Sequence, residues 1–552
     1  MALSTNTGGF TLGTTDATGK VTATLPGPAS SIVFDRYAKS SATAAVNVAA
    51  LLNPNPLHTF QTTVAMMEVR DCEGNAVEGT AVTYFIANSG GGNVGTVGPS
   101  GIVSRELFPG TYSFTATINK TSVSSNVNIT AGDPIDHTFV PTVVEFHHSL
   151  GKVSMWQNNI GGTTFNGPTY LFEGTYTIDF YEGNNKLYAM PLTVTDGECS
   201  IEQSLLILDL IDSHGNGLAD GAFKYRFGWG NYTEIGTTDA NGRLYHSLNG
   251  PPTNTKVTIT YNGASIEKQQ NVATNSHFVF QTVPVTAVLN DSEGSALSGA
   301  TFEYRYGWDA KLAFPGLMEL LPVNTKITVS YMGASIEREQ HAGADPDFVF
   351  ATVPVTAVLH DSEGAALSGA TFEYRYGWDS KQPFTGPMEL LPVNTKITVS
   401  YAGASIEKEQ NANTTPGFVF ATVPVTATLL ASDGVTDLSN DATFEYRYGW
   451  GSKQTFTNPM ELLPVNTKIT VIYAGTSVEK EQNVGSEQDF VFQTGKVTST
   501  SGSATGYRYG WESVNPFTSG MELLPVATKF SFSDGTPETT VTVVAGSTTT
   551  IH

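Results

Sequence analysis

Short runs of alternating apolar and polar residues, closed by Gly, Asp or Asn, fill most of the chain. A period of two sends successive side chains to opposite faces of a strand, and the closing residues are those that enter tight turns. The pattern therefore predicts strands joined by turns. No stretch keeps a helical period over a convincing length.

The runs recur in a fixed order. "ATFEYRYGW" ends at Trp308, Trp378 and Trp450, with relatives "AFKYRFGW" ending at Trp229 and "GYRYGW" ending at Trp511; the spacings are 79, 70, 72 and 61 residues. Behind each Trp come "MELLPVNTKITV" (from Met318, Met388 and Met460) or the variants "LNGPPTNTKVTI" from Leu248 and "MELLPVATKFSF" from Met521. A full unit reads as seven runs and one turn: "VPVTAVL", the "DSEG" turn, "ATFEYRYGW", a variable hairpin, "MELLP", "TKITVSYAG", "ASIEKEQN" and "FVFAT". Fainter copies lie at residues 69–118, and a shortened one ends near residue 202 with Trp156 in the place of the repeated Trp. Self-similarity at a fixed period means repeated structural units.

The expected fold class is all-β, a linear array of about eight small β-sandwich modules, the first incomplete. The expected boundaries are 1–62 (partial), 63–141, 142–202 (shortened), 203–282, 283–352, 353–422, 423–494 and 495–552 (shortened). "FVFATVPVTAVL" passes from one unit to the next without spare residues, which predicts stiff junctions. The incompleteness of the first unit rests on "GTTDATGKV" at residues 13–21, which matches "GTTDANGRL" at 236–244, deep inside a later unit. Residues 1–62 therefore lack counterparts of the first two strands. Three covers for the gap stand open: upstream chain, residues 1–12 folding in as a makeshift strand, or strands donated by a neighbouring molecule.

Composition narrows the function. With 28 Lys and Arg against 51 Asp and Glu, the net charge of -23 repels phosphate backbones, so nucleic acid is excluded as a partner. No apolar run reaches the ~18 residues of a membrane helix. Two cysteines, Cys72 and Cys199, stand in different units, and the expectation is that they are unpaired or form an interchain bond.

The opening strand, the "D-x-x-G" turn, the "TDANGRL" hairpin and "ELFPGTYSFTA" resemble the prealbumin-like β-sandwiches of bacterial surface proteins, of the CnaB or SpaA type, and their carboxypeptidase-regulatory-like relatives. The "ELLP…T…Y-G-S-E-Q…F-x-T-V" order is similar to tandem repeats of large bacterial extracellular proteins. The resemblance implies that the modules are Ig-like or prealbumin-like sandwiches and that the location is extracellular or at the cell surface. CnaB-like domains often carry a Lys to Asn or Asp isopeptide bond, with the Lys on the first strand. Here the first strands from Val283, Val353 and Val423 hold no Lys, and Lys496 faces no Asn in "STTTIH", so such crosslinks are not expected.

Candidate sites are few. Alternation puts Phe302, Tyr304, Tyr306 and Trp308 on one strand face and Glu303 with Arg305 on the other. Aromatic rows can stack on sugars, which makes Trp229, Trp308, Trp378, Trp450 and Trp511 candidate glycan or interface residues. The charged residues opposite them favour an inward, core-forming ladder. The "DSEG" loops offer Asp291 with Glu293 and Asp361 with Glu363 as weak calcium candidates. Calcium wants about six oxygens, so plain turns are expected. Catalytic motifs are absent, and no enzyme activity, metal or cofactor is expected. Two roles remain. One is a structural extracellular stalk, fibre or filament subunit whose partner is the chain itself, head to tail. The other is a multivalent adhesin or carbohydrate-binding protein whose partner is a surface or matrix polysaccharide.

Overall fold

The computed structural model describes residues 2–5, 8–11, 14–22, 31–37, 40–45, 59–150, 152–157, 160–165, 167–250, 253–500 and 502–552. Among the described residues the elements are strands apart from one short 3-10 turn, Ser439–Asp441. The chain forms two compact units, residues 1–283 with 319–323 and residues 284–318 with 324–552.

In the second unit, residues 353–422 show the repeat most plainly. Its seven strands are Val353–His360, Thr371–Arg375, Gln382–Phe384, Met388–Leu390, Asn394–Tyr401, Ala404–Asn411 and Gly417–Ala421. The first strand lies between the fourth, antiparallel to it, and the seventh, parallel to it. The other four make an antiparallel sheet in the order third, second, fifth, sixth. Two such sheets bury their facing sides, as the sequence period demands: Thr395, Ile397 and Val399 of the fifth strand are fully buried, and the core closes with Val355, Leu359, Tyr374, Phe418 and Phe420.

Local chemistry sets the turns. Strands five and six are joined by Ala402 and Gly403, both at positive φ (51° and 83°), the two-residue hairpin whose twist matches that of the strands. Asn262–Gly263, Met332–Gly333 and Ala474–Gly475 repeat it. In the "DSEG" loops, Asp361 Oδ1 accepts from the backbone N–H groups of Glu363 (3.0 Å) and Ala365 (2.8 Å), and Asp291 does the same for Glu293 and Ser295. These are self-satisfied Asx turns.

The last repeat, short in sequence, still carries seven strands from Gly495–Ser499 to Thr548–Ile551. The shortened segment in the first unit does as well, from Thr142–His147 to Ser200–Ile211. Its length was lost from loops. The strand Ser200–Ile211 crosses the expected boundary at 202/203. Its first half pairs in parallel with Thr142–His147, its second half with His277–Gln281, and Arg243–Asn249 runs along it.

At the start of the chain, Ala2–Thr5 pairs with both Gly8–Thr11 and Ser31–Tyr37, and the latter with Ser40–Ala45. The order Gly8–Thr11, Ala2–Thr5, Ser31–Tyr37, Ser40–Ala45 is that of the third, second, fifth and sixth strands of residues 353–422. The matching hairpin tips agree in detail. Asp16 Oδ1 accepts from the N–H groups of Thr18 and Lys20, as Asp239 Oδ1 does from Asn241 and Arg243. Gly19 and Gly242 have φ of 78° and 73°.

Candidate functional site

The most repeated arrangement of polar atoms lies where one sandwich meets the next. In "MELLP" the Glu and the two Leu residues go three ways. Leu390 and Leu462 fill the cores of their own repeats, whereas Leu463 is fully buried in the core of residues 353–422, and Leu524 in that of 423–494. Adjacent residues leaving a strand point to opposite sides, so a Leu-Leu pair seals two cores at once.

The Glu closes the same junction from the polar side. Glu389 accepts from Ser292 N–H (3.2 Å), Ser292 Oγ (2.5 Å) and the Thr352 hydroxyl. Glu461 does so from Ser362 and Thr422, and Glu522 from Ser432 and Thr494. In the first unit Glu319 accepts from Ser213 N–H (3.3 Å), Ser213 Oγ (2.6 Å) and Thr282 Oγ1 (2.5 Å). Each carboxylate thus clamps the Ser of a turn loop, "D-S-x-G" at Ser213, Ser292 and Ser362 and "A-S-D-G" at Ser432, and the final Thr of "FVFxT" with charge-assisted bonds. A fainter copy joins Glu106 to Thr62 at 3.0 Å.

One junction without this clamp explains the cysteines. In "DCEG" Cys72 stands where the clamp Ser stands elsewhere, and in "YLFEG" Tyr170 stands in the place of the Glu. Tyr170 donates to Asp71 Oδ2 at 3.3 Å, and Cys72 is disulfide-bonded to Cys199, with Cα atoms 5.4 Å apart. The expectation of unpaired or intermolecular thiols is therefore wrong. Neighbouring sandwiches contact each other through this very loop, and that brings residues 127 positions apart together.

Aromatic side chains follow. Tyr304 is buried, Phe302 and Tyr306 are half-buried, and Trp308 is 87% exposed. The inward ladder stops short of the Trp because its strand, Thr301–Arg305, ends first. Gly307, at φ 54°, then enters a tight turn closed by a bond from Asp309 N–H to Tyr306 O, and the alternation is lost. Trp229, Trp378, Trp450 and Trp511 leave equivalent turns and are 87–90% exposed.

Each ring has two cations against it: for Trp308, Arg305 at 5.4 Å and Lys326 at 4.3 Å; for Trp378, Arg375 at 5.3 Å and Lys396 at 4.4 Å. The cations are in turn paired. Arg305 makes a two-pronged bond to Glu337 (2.9 and 2.8 Å), repeated at Arg375–Glu407 and Arg447–Glu479. Those carboxyls lie below the ordinary Glu range, chiefly through the Arg hydrogen bond, which outweighs their partial burial. Around Trp308, Trp378 and Trp450 the Lys is paired as well, so these patches are aromatic and internally charge-balanced, whereas at Trp229 both cations share Glu267.

In the first unit Asp209 is nearly buried and holds Arg243 (2.6 and 2.7 Å) and His277 (2.7 Å). Burial pushes its carboxyl upward, but the bonds and charges of Arg243 and His277 prevail and hold it at about 2. The cluster ties three neighbouring strands together. Among the described residues no three His, Cys, Asp or Glu side chains converge in a way that could hold a metal, and Asp291, Glu293, Asp361 and Glu363 form no such group.

Clamp residues escaped sequence reasoning, yet a signal existed. The Ser of the loop, the Thr before "VPV" and the Glu of "MELLP" appear together, and both the Ser and the Glu are replaced at the single disulfide junction.

The fold and its junctions define an all-β protein of tandem, mutually sealed β-sandwiches. No family model matches the chain, and no curated protein matches it. Solved structures similar to parts of it include a streptococcal ancillary pilin (8% identity, 53% of this chain, 99% of that one, TM-score 0.16). Others are BcpA, the major pilin subunit of Bacillus cereus (14%, 40% and 99%, TM-score 0.13), and the pilus adhesin SpaC of Lactobacillus rhamnosus GG (9%, 64% and 52%, TM-score 0.15). Likenesses at these identities and TM-scores carry no argument about role.

Proposed function

We propose that the chain is a structural extracellular protein, a spacer whose product is the fixed placement of successive β-sandwiches. The observation that carries this is the repeated junction, in which a Leu from one sandwich plugs the core of its predecessor and a Glu clamps that predecessor's loop and last strand. A chain of freely hinged domains has no use for such seals, because an ordinary linker would leave both ends solvated. The Cys72–Cys199 bond supports an oxidising, extracellular setting.

The test is a distance measurement across one junction. Spin labels at the exposed, equivalent positions Thr414 and Ser486 are expected to give one narrow distance distribution. Glu461→Ala is expected to broaden it and to destabilise the junction by about 1–2 kcal/mol, because three donors lose a charged acceptor that is only partly shielded from water. A broad distribution in the unsubstituted chain would sink the spacer reading.

A second reading, multivalent glycan binding, is favoured by the five exposed Trp rings. Trp308→Ala, Trp378→Ala and Trp450→Ala together are expected to cost less than about 1 kcal/mol per repeat, the scale of an exposed cation–π contact, rather than the penalty of an emptied core. Electrophoresis through gels containing hydroxyethylcellulose or xylan decides the reading. Retardation of the unsubstituted chain that the triple variant loses supports it, and equal mobility of the two chains rejects it.

A further inference from the structure

Among the described residues, the outer strand of one sheet in each full repeat has an unpaired edge: His277–Gln281, Asp347–Ala351, Gly417–Ala421 and Asp489–Gln493. The strands carry the pattern "FVF", Phe inward and Val outward, and Val349, Val419 and Val491 are exposed. An apolar, β-branched edge of this kind invites another strand.

The backbone groups on its inner side are taken by the first strand of the repeat. Thr286 N–H donates to Pro346 O, Thr352 N–H to Asn290 O, and residues 348 and 350 follow by alternation. The carbonyls of Asp347 and Val349 therefore face outward, where a docking strand would bind. Both are occupied. Gln340 Nε2 donates to Asp347 O (3.1 Å) and to Asp345 O (2.8 Å), and Arg338 Nη1 donates to Val349 O (2.7 Å). The same caps recur at Gln410 on Gly417 O (2.9 Å) and Thr415 O (2.6 Å), with Lys408 on Val419 O (3.5 Å), and at Gln482 on Asp489 O (3.2 Å) and Glu487 O (2.9 Å). In the first unit Gln270 caps His277 O (2.9 Å) and Lys268 caps Val279 O. The capping residues sit on the charged edge strand of the opposite sheet, "ASIEREQH" or "ASIEKEQN", so side chains from one sheet close the edge of the other.

We infer that this edge is a latent strand-pairing surface whose partner is the same edge of a second copy of the chain, which presents matching edges at the same 70- and 72-residue steps from Asp347 to Gly417 to Asp489, and that the Gln and Arg or Lys caps hold it shut. The spacing "[KR]-x-Q" then has a purpose that core packing does not supply: these side chains lie outside both cores and spend their donors on carbonyls that water would otherwise satisfy. The inference is independent of the spacer proposal, since closed edges suit a single chain of any role.

The experiment uses the full chain with Gln340→Leu, Gln410→Leu, Gln482→Leu, Arg338→Leu and Lys408→Leu, followed by sedimentation velocity over a concentration series and amide hydrogen exchange. Self-association is expected to strengthen about tenfold or more over the unsubstituted chain, with new protection of the Val349 and Val419 amides. Adding Val349→Lys and Val419→Lys is expected to restore the original behaviour. A folded variant that associates no more than the parent overturns the inference. So does association without protection at these amides, or association that the lysines fail to reverse. Gln340→Met, Gln410→Met and Gln482→Met, which keep length and lose only the donors, serve if the larger set fails to fold; unchanged association of that set overturns the inference equally.

Discussion

Leu463→Ala is expected to lower the stability of residues 353–422, the sandwich before the one to which Leu463 belongs by sequence, by about 3–5 kcal/mol. The side chain is fully buried among Val355, Leu359, Ile397 and Phe418 of that sandwich, and truncating it removes its transfer energy and leaves a cavity. Leu462→Ala, one residue earlier, is expected to cost a similar amount in residues 423–494, whose core it fills. Hydrogen exchange separates the two. Exchange should rise in Thr371–Arg375 and Asn394–Tyr401 for Leu463→Ala, and in Thr443–Arg447 and Asn466–Tyr473 for Leu462→Ala. If Leu463→Ala raised exchange only downstream of residue 423, the plugged junction would be wrong.

Removing the disulfide with Cys72→Ser and Cys199→Ser is expected to cost about 3–5 kcal/mol in residues 63–202. The bridge closes a loop of 127 residues, and a loop so long frees much chain entropy in the unfolded state when it is opened. Thermal unfolding monitored by segment-resolved exchange measures the loss. Restoring the polar clamp in place of the covalent one, by adding Tyr170→Glu to the Ser pair, is expected to recover about 1 kcal/mol through bonds of the kind Glu389 makes to Ser292. No recovery would mean that the disulfide junction and the clamp junctions are not built on one plan.

Much of the fold was written in local pattern. The seven runs, the Asp-x-x-Gly turns and the inward positions such as Ile397 and Val399 follow from residue period and turn chemistry, because a strand's two faces and a left-handed glycine are properties of short sequence. The kinship of residues 13–21 and 236–244 was legible too, down to the Asp that caps both tips. The same pattern misled where it was carried past a strand's end. Trp308 lies three residues beyond Arg305, and a single glycine at positive φ turned a core expectation into an exposed ring.

By itself, then, the sequence determined an all-β chain of repeated sandwiches, its turns and most of each core, since those depend on neighbours a few positions apart. Only the tertiary structure decided that the second Leu of "MELLP" serves the preceding core and that its Glu finds Ser and Thr in another repeat. It alone decided that Cys72 meets Cys199, that Ala2–Thr5 and Gly8–Thr11 join the first sheet, and that Gln340 guards an edge. Each of these joins residues far apart in the chain, and such pairings are fixed by which surfaces become adjacent once the strands have packed. No local period records that adjacency.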